Sequence, residues 1–143
     1  MDESGLPAPV QEALTFLRKE RMEGARVDAL ADNWIYVWLP DVRFDASRYP
    51  PPLSREMWVR IPVQFPFANP HGIITKEPLN PLDGHTVKGH NPNHDMCGPV
   101  RSLGGAHYYS WTWAGEIGPN PSLRVSSDIL VVIAWIERRL RQA

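Results

Sequence analysis

The chain is poor in cysteine, in net charge and in long apolar runs. Cys97 is the only cysteine, so no internal disulfide can form, and a lone thiol fits a reducing, cytoplasmic setting. Fifteen basic residues face sixteen acidic ones, for a net charge of −1. That balance argues against a dedicated nucleic-acid binder, which carries a basic excess. No apolar run approaches the roughly 20 residues of a membrane helix, so no membrane partner is expected. The start, Met1-Asp2-Glu3-Ser4-Gly5, lacks the basic and apolar stretches of a signal peptide. There is no P-loop, no dinucleotide G-x-G-x-x-G and no G-x-S-x-G nucleophile motif.

Proline and tryptophan are plentiful, at 15 and 6 residues. Thirteen of the prolines fall between Pro40 and Pro121. Proline disrupts helix interiors, so helices are confined to the two ends and the middle must be strands and fixed loops. With 43% hydrophobic and 22% charged residues the chain reads as globular, one domain over residues 1–143 with a core over about 8–140.

The spacing of Val10, Ala13, Leu14 and Leu17 predicts an amphipathic helix from Pro9 to about Gly24, with Arg18, Lys19, Glu20 and Arg21 on its more exposed half. Trp34–Leu39 reads as a strand ended by Pro40-Asp41, and Asp45–Ser54, with Pro50-Pro51-Pro52, as a rigid connector. In the strand Met57–Ile61, alternation places Met57, Val59 and Ile61 on one face and Trp58 and Arg60 on the other. Gly72–Thr75 is a further short strand. From Lys76 to Pro121 periodicity fades, and the segment reads as a long ordered loop. A last helix is capped at Ser126 or Ser127, with Asp128 in its first turn and Ile129, Val132, Ile133, Ile136 and Leu140 as its apolar face. Strands clustered between terminal helices predict an α+β layer with an antiparallel meander of three or four strands.

Candidate chemistry concentrates in Gly89–Pro99. Cys97 is a potential nucleophile whose thiolate fraction nearby His90 or His94 could raise. Asn93 offers an amide for a developing oxyanion, and Asp95 could orient an amine or take its proton. A small core cysteine is the competing reading, although the flanking Gly98-Pro99 and the polar approach favour exposure. His85, His90, His94 and Cys97, spaced H-x4-H-x3-H-x2-C, allow a zinc site. His71 and His107 read as ordinary loop or core residues. The aromatic run Tyr108, Tyr109, Trp111, Trp113 reads as packing around the loop base.

Several of these stretches resemble the ubiquitin-conjugating enzyme (UBC) superfamily, particularly its divergent bacterial members. Leu17-Arg18-Lys19-Glu20 resembles the end of that family's first helix. Trp58–Pro70 resembles its third strand and the following proline passage, with Phe65 where tyrosine is usual. His90-Asn91-Pro92-Asn93 is similar to a loosened His-Pro-Asn, with Cys97 following where the nucleophile is expected. Trp111 or Trp113, with Pro119 or Pro121, resembles the tryptophan–proline passage into the next helix. The resemblance implies a UBC-like fold, with a four-stranded meander between helices. It implies acyl transfer: Cys97 would accept a ubiquitin-like protein as a thioester from an activating enzyme and pass it to an amine of a protein target. Asn93 would steady the oxyanion or hold the loop, His90 would be mainly structural, and His94 or Asp95 would steer or deprotonate the amine. No cofactor is implied, because the activating enzyme consumes the ATP. A non-catalytic adaptor of the same fold, binding a ubiquitin-like protein or an activating enzyme, is the alternative, and a small zinc-binding protein a second one.

Overall fold

The computed structural model describes residues 2–113 and 122–143. Helix α1 spans Ala8–Glu20 and helix α2 spans Ile129–Gln142. Between them run β1 (Arg26–Ala31), β2 (Trp34–Arg43), β3 (Ser54–Pro62), β4 (His71–Thr75), β5 (His90–Pro92) and β6 (His107–Thr112). They form one antiparallel sheet in the order β1-β2-β3-β4-β6-β5. A nine-residue 3₁₀ segment, Asp95–Leu103, lies between β5 and β6. No described helix is long and apolar enough to cross a membrane.

The α+β class and the terminal helices match the expectation, but the sheet has six strands, not about four. Three departures account for this. β1 holds only one β-branched residue, Val27, so its composition does not announce a strand. It forms by pairing with β2 across a two-residue turn, Asp32-Asn33, both with positive φ (52° and 65°), the conformation that twists a hairpin correctly. β5 and β6 arise inside the expected loop, where the β-prone run Tyr108–Thr112 binds the edge of β4. β2 also continues through Pro40-Asp41 to Arg43. A register shift between Leu39 and Val42 absorbs the proline that has no N–H for the ladder.

The sheet has two apolar faces. Val27, Ile35, Val37, Leu39, Met57, Val59, Ile61 and Ile73 share one core with Val10, Leu14 and Leu17 of α1 and Val132, Ile133 and Ile136 of α2. Tyr36, Trp58, Ile74 and Tyr108 point the other way. The expected alternation of Met57, Val59 and Ile61 against Trp58 holds, because strand side chains alternate between faces.

The helix ends also differ from the pattern. α1 stops at Glu20, four residues before Gly24, because Met22 turns into the core (2% exposed) and its N–H closes on the Leu17 carbonyl at 2.9 Å. Before α2, Ser126–Asp128 form a 3₁₀ turn, and the Asp128 carboxylate accepts the N–H groups of Arg124 and Val125. Two of the charges expected on the exposed half of α1 work internally. Arg18 Nη2 donates to both carboxylate oxygens of Glu3, and its Nε donates to the Ala25 carbonyl. Arg21 donates to the Asp41 carbonyl and pairs with Glu137, whose carboxylate also accepts the Arg43 N–H at 2.8 Å.

The Arg21–Glu137 side chains are 13% and 14% exposed and tie α1, α2 and β2 together. Glu137→Ala removes the acceptor of the Arg21 Nη2 group and of the Arg43 N–H, leaving the mostly buried guanidinium only Asp41. We expect a loss of about 2–3 kcal/mol in urea unfolding, and Glu137→Gln, which keeps an acceptor, to recover about half.

Candidate functional site

The segment from β5 through the 3₁₀ turn is divided by the sheet. Successive residues of β6 face opposite ways, and each carries a histidine from the preceding segment. Tyr109 belongs to the helix-side core, and the His90 ring stacks on it with centroids 4.9 Å apart. Tyr108 belongs to the opposite cluster, and the His94 ring stacks on it at 5.0 Å. His90 and His94 are therefore held against different tyrosines.

Cys97 follows His94. In a 3₁₀ helix residues three apart eclipse on one side, so Cys97 and Val100 point inward together, and they are the two buried residues of that segment. They seal against Tyr36, Trp58, Ile74 and Tyr108. The expected exposure of Cys97 is not met: the residue is 0% exposed. Burial pushes its thiol above the ordinary range, against a smaller opposing pull from Arg101 and from hydrogen bonding at the His94 backbone. A thiol so placed holds its proton and is shielded from large electrophiles.

The other candidates stand around this buried sulfur at the surface. Asn93 is exposed and takes a positive φ of 56°, and its N–H donates to the Ala106 carbonyl at 2.7 Å. The His94 carbonyl accepts the Cys97 N–H, and its Nδ1 accepts the Met96 N–H at 3.1 Å. Arg101 clamps the carbonyls of Asn93 and His94 from the far end of the turn. Asp95 is exposed at the start of the turn. The structure thus brings Asn93, His94, Asp95 and Cys97 into one turn and leaves His90 on the other side of the sheet edge.

The set His85, His90, His94 and Cys97 does not converge in the same way. His85 and His90 line one cavity, of about 320 Å³, with Leu79, Val87 and Tyr109, whereas His94 and Cys97 belong to the opposite face. Among the described residues no group of three or more metal-ligating side chains comes together. His85 instead pairs through Nδ1 with Asp83.

Sequence reasoning missed two features. The first is the cradle of Cys97. The alternation of Trp34, Tyr36 and Trp38 on β2, and of Trp58 and Arg60 on β3, was the available signal. An apolar second face needs a cover, and among the described residues the segment carrying Cys97 supplies Cys97 and Val100 to it. Arg60, 4% exposed, lies among these rings, with its guanidinium 4.4 Å above Trp34 and donating to the His71 carbonyl and the Tyr108 hydroxyl. The second is His107, expected to be ordinary, which hydrogen-bonds His90. Trp111 and Trp113 are buried as expected packing residues. Pro119 and Pro121 lie outside the described residues. Comparison with family models, with curated proteins and with solved structures gives no match.

Proposed function

We propose that the chain serves a ubiquitin-like conjugation system as a binding component, a divergent UBC-like scaffold that docks a ubiquitin-like protein or its activating enzyme without carrying the acyl group. The order helix, antiparallel sheet, helix supports the scaffold, as does the Trp58–Pro70 motif on β3 and the turns after it. One observation carries the choice of adaptor over carrier: the single thiol is wholly buried, and burial raises its pKa. A thioester carrier needs a sulfur within reach of a flexible tail and partly ionised. The lone thiol supports a cytoplasmic setting, and this role requires no cofactor of its own.

A second reading has an observation in its favour. The 3₁₀ cover is anchored by only two buried side chains, Cys97 and Val100, and Asn93, His94 and Asp95 flank it. Lifting this short cover on partner binding would present the thiol beside an amide and two proton acceptors. The Cys97 thiolate would then attack the thioester carbonyl carbon, forming a new C–S bond as the activating enzyme's thiolate leaves. A target amine would next attack the same carbon, forming a C–N bond. It would lose its proton to His94 or Asp95 as the Cys97 sulfur departs.

One experiment separates the two. The protein is mixed with an activating enzyme, ATP and a ubiquitin-like protein, then examined by size exclusion and by a non-reducing gel. The adaptor reading expects a non-covalent complex that Cys97→Ala leaves intact, and no reductant-sensitive band. A band removed by reductant and absent in Cys97→Ala overturns it in favour of the carrier. Absence of any complex overturns both.

A further inference from the structure

The contact between His90 and His107 belongs neither to the buried thiol nor to the sheet's two cores. The His90 Nε2 and His107 Nδ1 atoms are 2.8 Å apart, and the ring centroids 5.1 Å apart. What separates the two values is the span from nitrogen to ring centre on each side, so the nitrogens meet head-on along one line. This is hydrogen-bond geometry, and it requires one nitrogen to donate and the other to accept. A pair with no added proton satisfies it, as does a pair with one. A pair with two added protons places donor against donor and charge against charge.

The contact sits where the sheet is weakest. β5 is an edge strand of three residues, paired with β6 at His90–Tyr109, Asn91–Tyr108 and Pro92–His107. Other ties of the segment include Ser110 N–H to the Gly89 carbonyl, Trp111 Nε1 to the Lys88 carbonyl, Asn93 N–H to the Ala106 carbonyl, Arg101 on the carbonyls of Asn93 and His94, and Val87 buried in the helix-side core. His90 and His107 are both only partly buried, so water and protons reach them.

We propose that the His90–His107 pair is a proton-operated latch that ties β5 to β6 when neutral or singly protonated and releases residues 83–94 when doubly protonated. The surroundings favour this behaviour. Tyr109 of β6 lies beneath the His90 ring, and His85, paired with Asp83, faces it across the shared cavity. From β4, Thr75 is the register partner of His107 and gives its hydroxyl to the Glu77 carbonyl, while the next residue, Lys76, is paired with Glu56. From the 3₁₀ segment, Arg101 is spent on the carbonyls of Asn93 and His94, and Asp95 is exposed at its start. Lys88 and Arg139 line a neighbouring pocket with His85. No carboxylate on these elements is bonded to either ring of the pair among the described residues. Burial and the neighbouring His107 hold His90 below the ordinary histidine range, so its proton is taken up below about pH 6.5. Uptake of a second proton by the pair favours the open form, so release grows as pH falls.

Hydrogen exchange read by mass spectrometry at pH 7.5, 6.5 and 5.5, corrected for intrinsic rates, tests the latch. Peptides within 83–94 should lose about tenfold protection at pH 5.5, while peptides of β2 and β3 keep theirs. In His90→Gln and His107→Gln, where no doubly protonated pair can form, the protection of 83–94 should no longer change with pH. A flat profile in the wild type overturns the proposal. So does a loss that persists in both variants, or one that spreads to β2 and β3. Because a variant can fail to fold, the imidazole titrations of the wild type are followed by NMR as well. For His90 a step below the ordinary histidine value is expected, and a His90 step at the ordinary value overturns the latch.

Discussion

Gly72→Ala should destabilise the fold by about 2–5 kcal/mol, read from the urea midpoint at unchanged slope. Two costs combine at this position. Gly72 lies on β4 with φ +82°, a conformation that an L side chain adopts only under strain. A Cβ placed there also meets the Tyr108 ring, with Cε1 at 2.5 Å, the hydroxyl at 2.7 Å and Cζ at 2.8 Å. The ring has little room to retreat. Its hydroxyl accepts from Arg60, its face carries the His94 ring, and its other neighbours are Trp58, Ile74, Cys97 and Val100. A double-mutant cycle separates the two costs. In a Tyr108→Ala background the clash is gone, and Gly72→Ala should cost only the backbone strain, about 1–2 kcal/mol. Equal costs in both backgrounds would show that the close approach to Tyr108 contributes nothing.

The same residues show why part of the fold was legible and part was not. Val10, Ala13, Leu14 and Leu17, and the apolar face of α2, follow a helical period because each helix packs one stripe on the sheet. Met57–Ile61 alternates because it is a central strand with a core on each side. β1 left no comparable trace. Its alanines and aspartate acquire strand structure from the β2 ladder, a tertiary effect that composition does not encode. Gly89–Pro99 showed which reactive groups are close in sequence, but not which side of the sheet each would take. That is decided by the odd and even positions of Tyr108 and Tyr109, so His90 and His94, four residues apart, end against different rings. The burial of Cys97 was hidden for a related reason. A polar neighbourhood in sequence reads as surface, yet a 3₁₀ turn places residues three apart on one side, and Gly98 and Asp95 stay outside while Cys97 and Val100 go in.

This placement gives the largest kinetic effect expected of the molecule. A bulky aromatic disulfide should label Cys97 in the native protein about 10³-fold more slowly than in urea-unfolded chain, after correction for denaturant. The sulfur becomes reachable only when the 3₁₀ cover lifts, and a factor of 10³ corresponds to an opening free energy of about 4 kcal/mol. Val100→Ala removes the other buried anchor of the cover and should speed labelling by about one to two orders of magnitude. Gly72→Ala, by displacing Tyr108, should act in the same direction. The pH dependence has a definite sign. Burial raises the folded thiol's pKa, so the unfolded chain releases this proton first as pH rises. The thiol therefore contributes its full stability below about pH 8.5 and loses it progressively above that value, and Cys97→Ala should remove this part of the alkaline decline. Labelling of the native protein as fast as that of the unfolded chain would mean that the cover stands open at rest, and the thioester carrier would then become the better reading. Slow labelling that a bound ubiquitin-like protein or activating enzyme accelerates would place the opening step under partner control, because a ligand shifts such an equilibrium only by binding the open form more tightly.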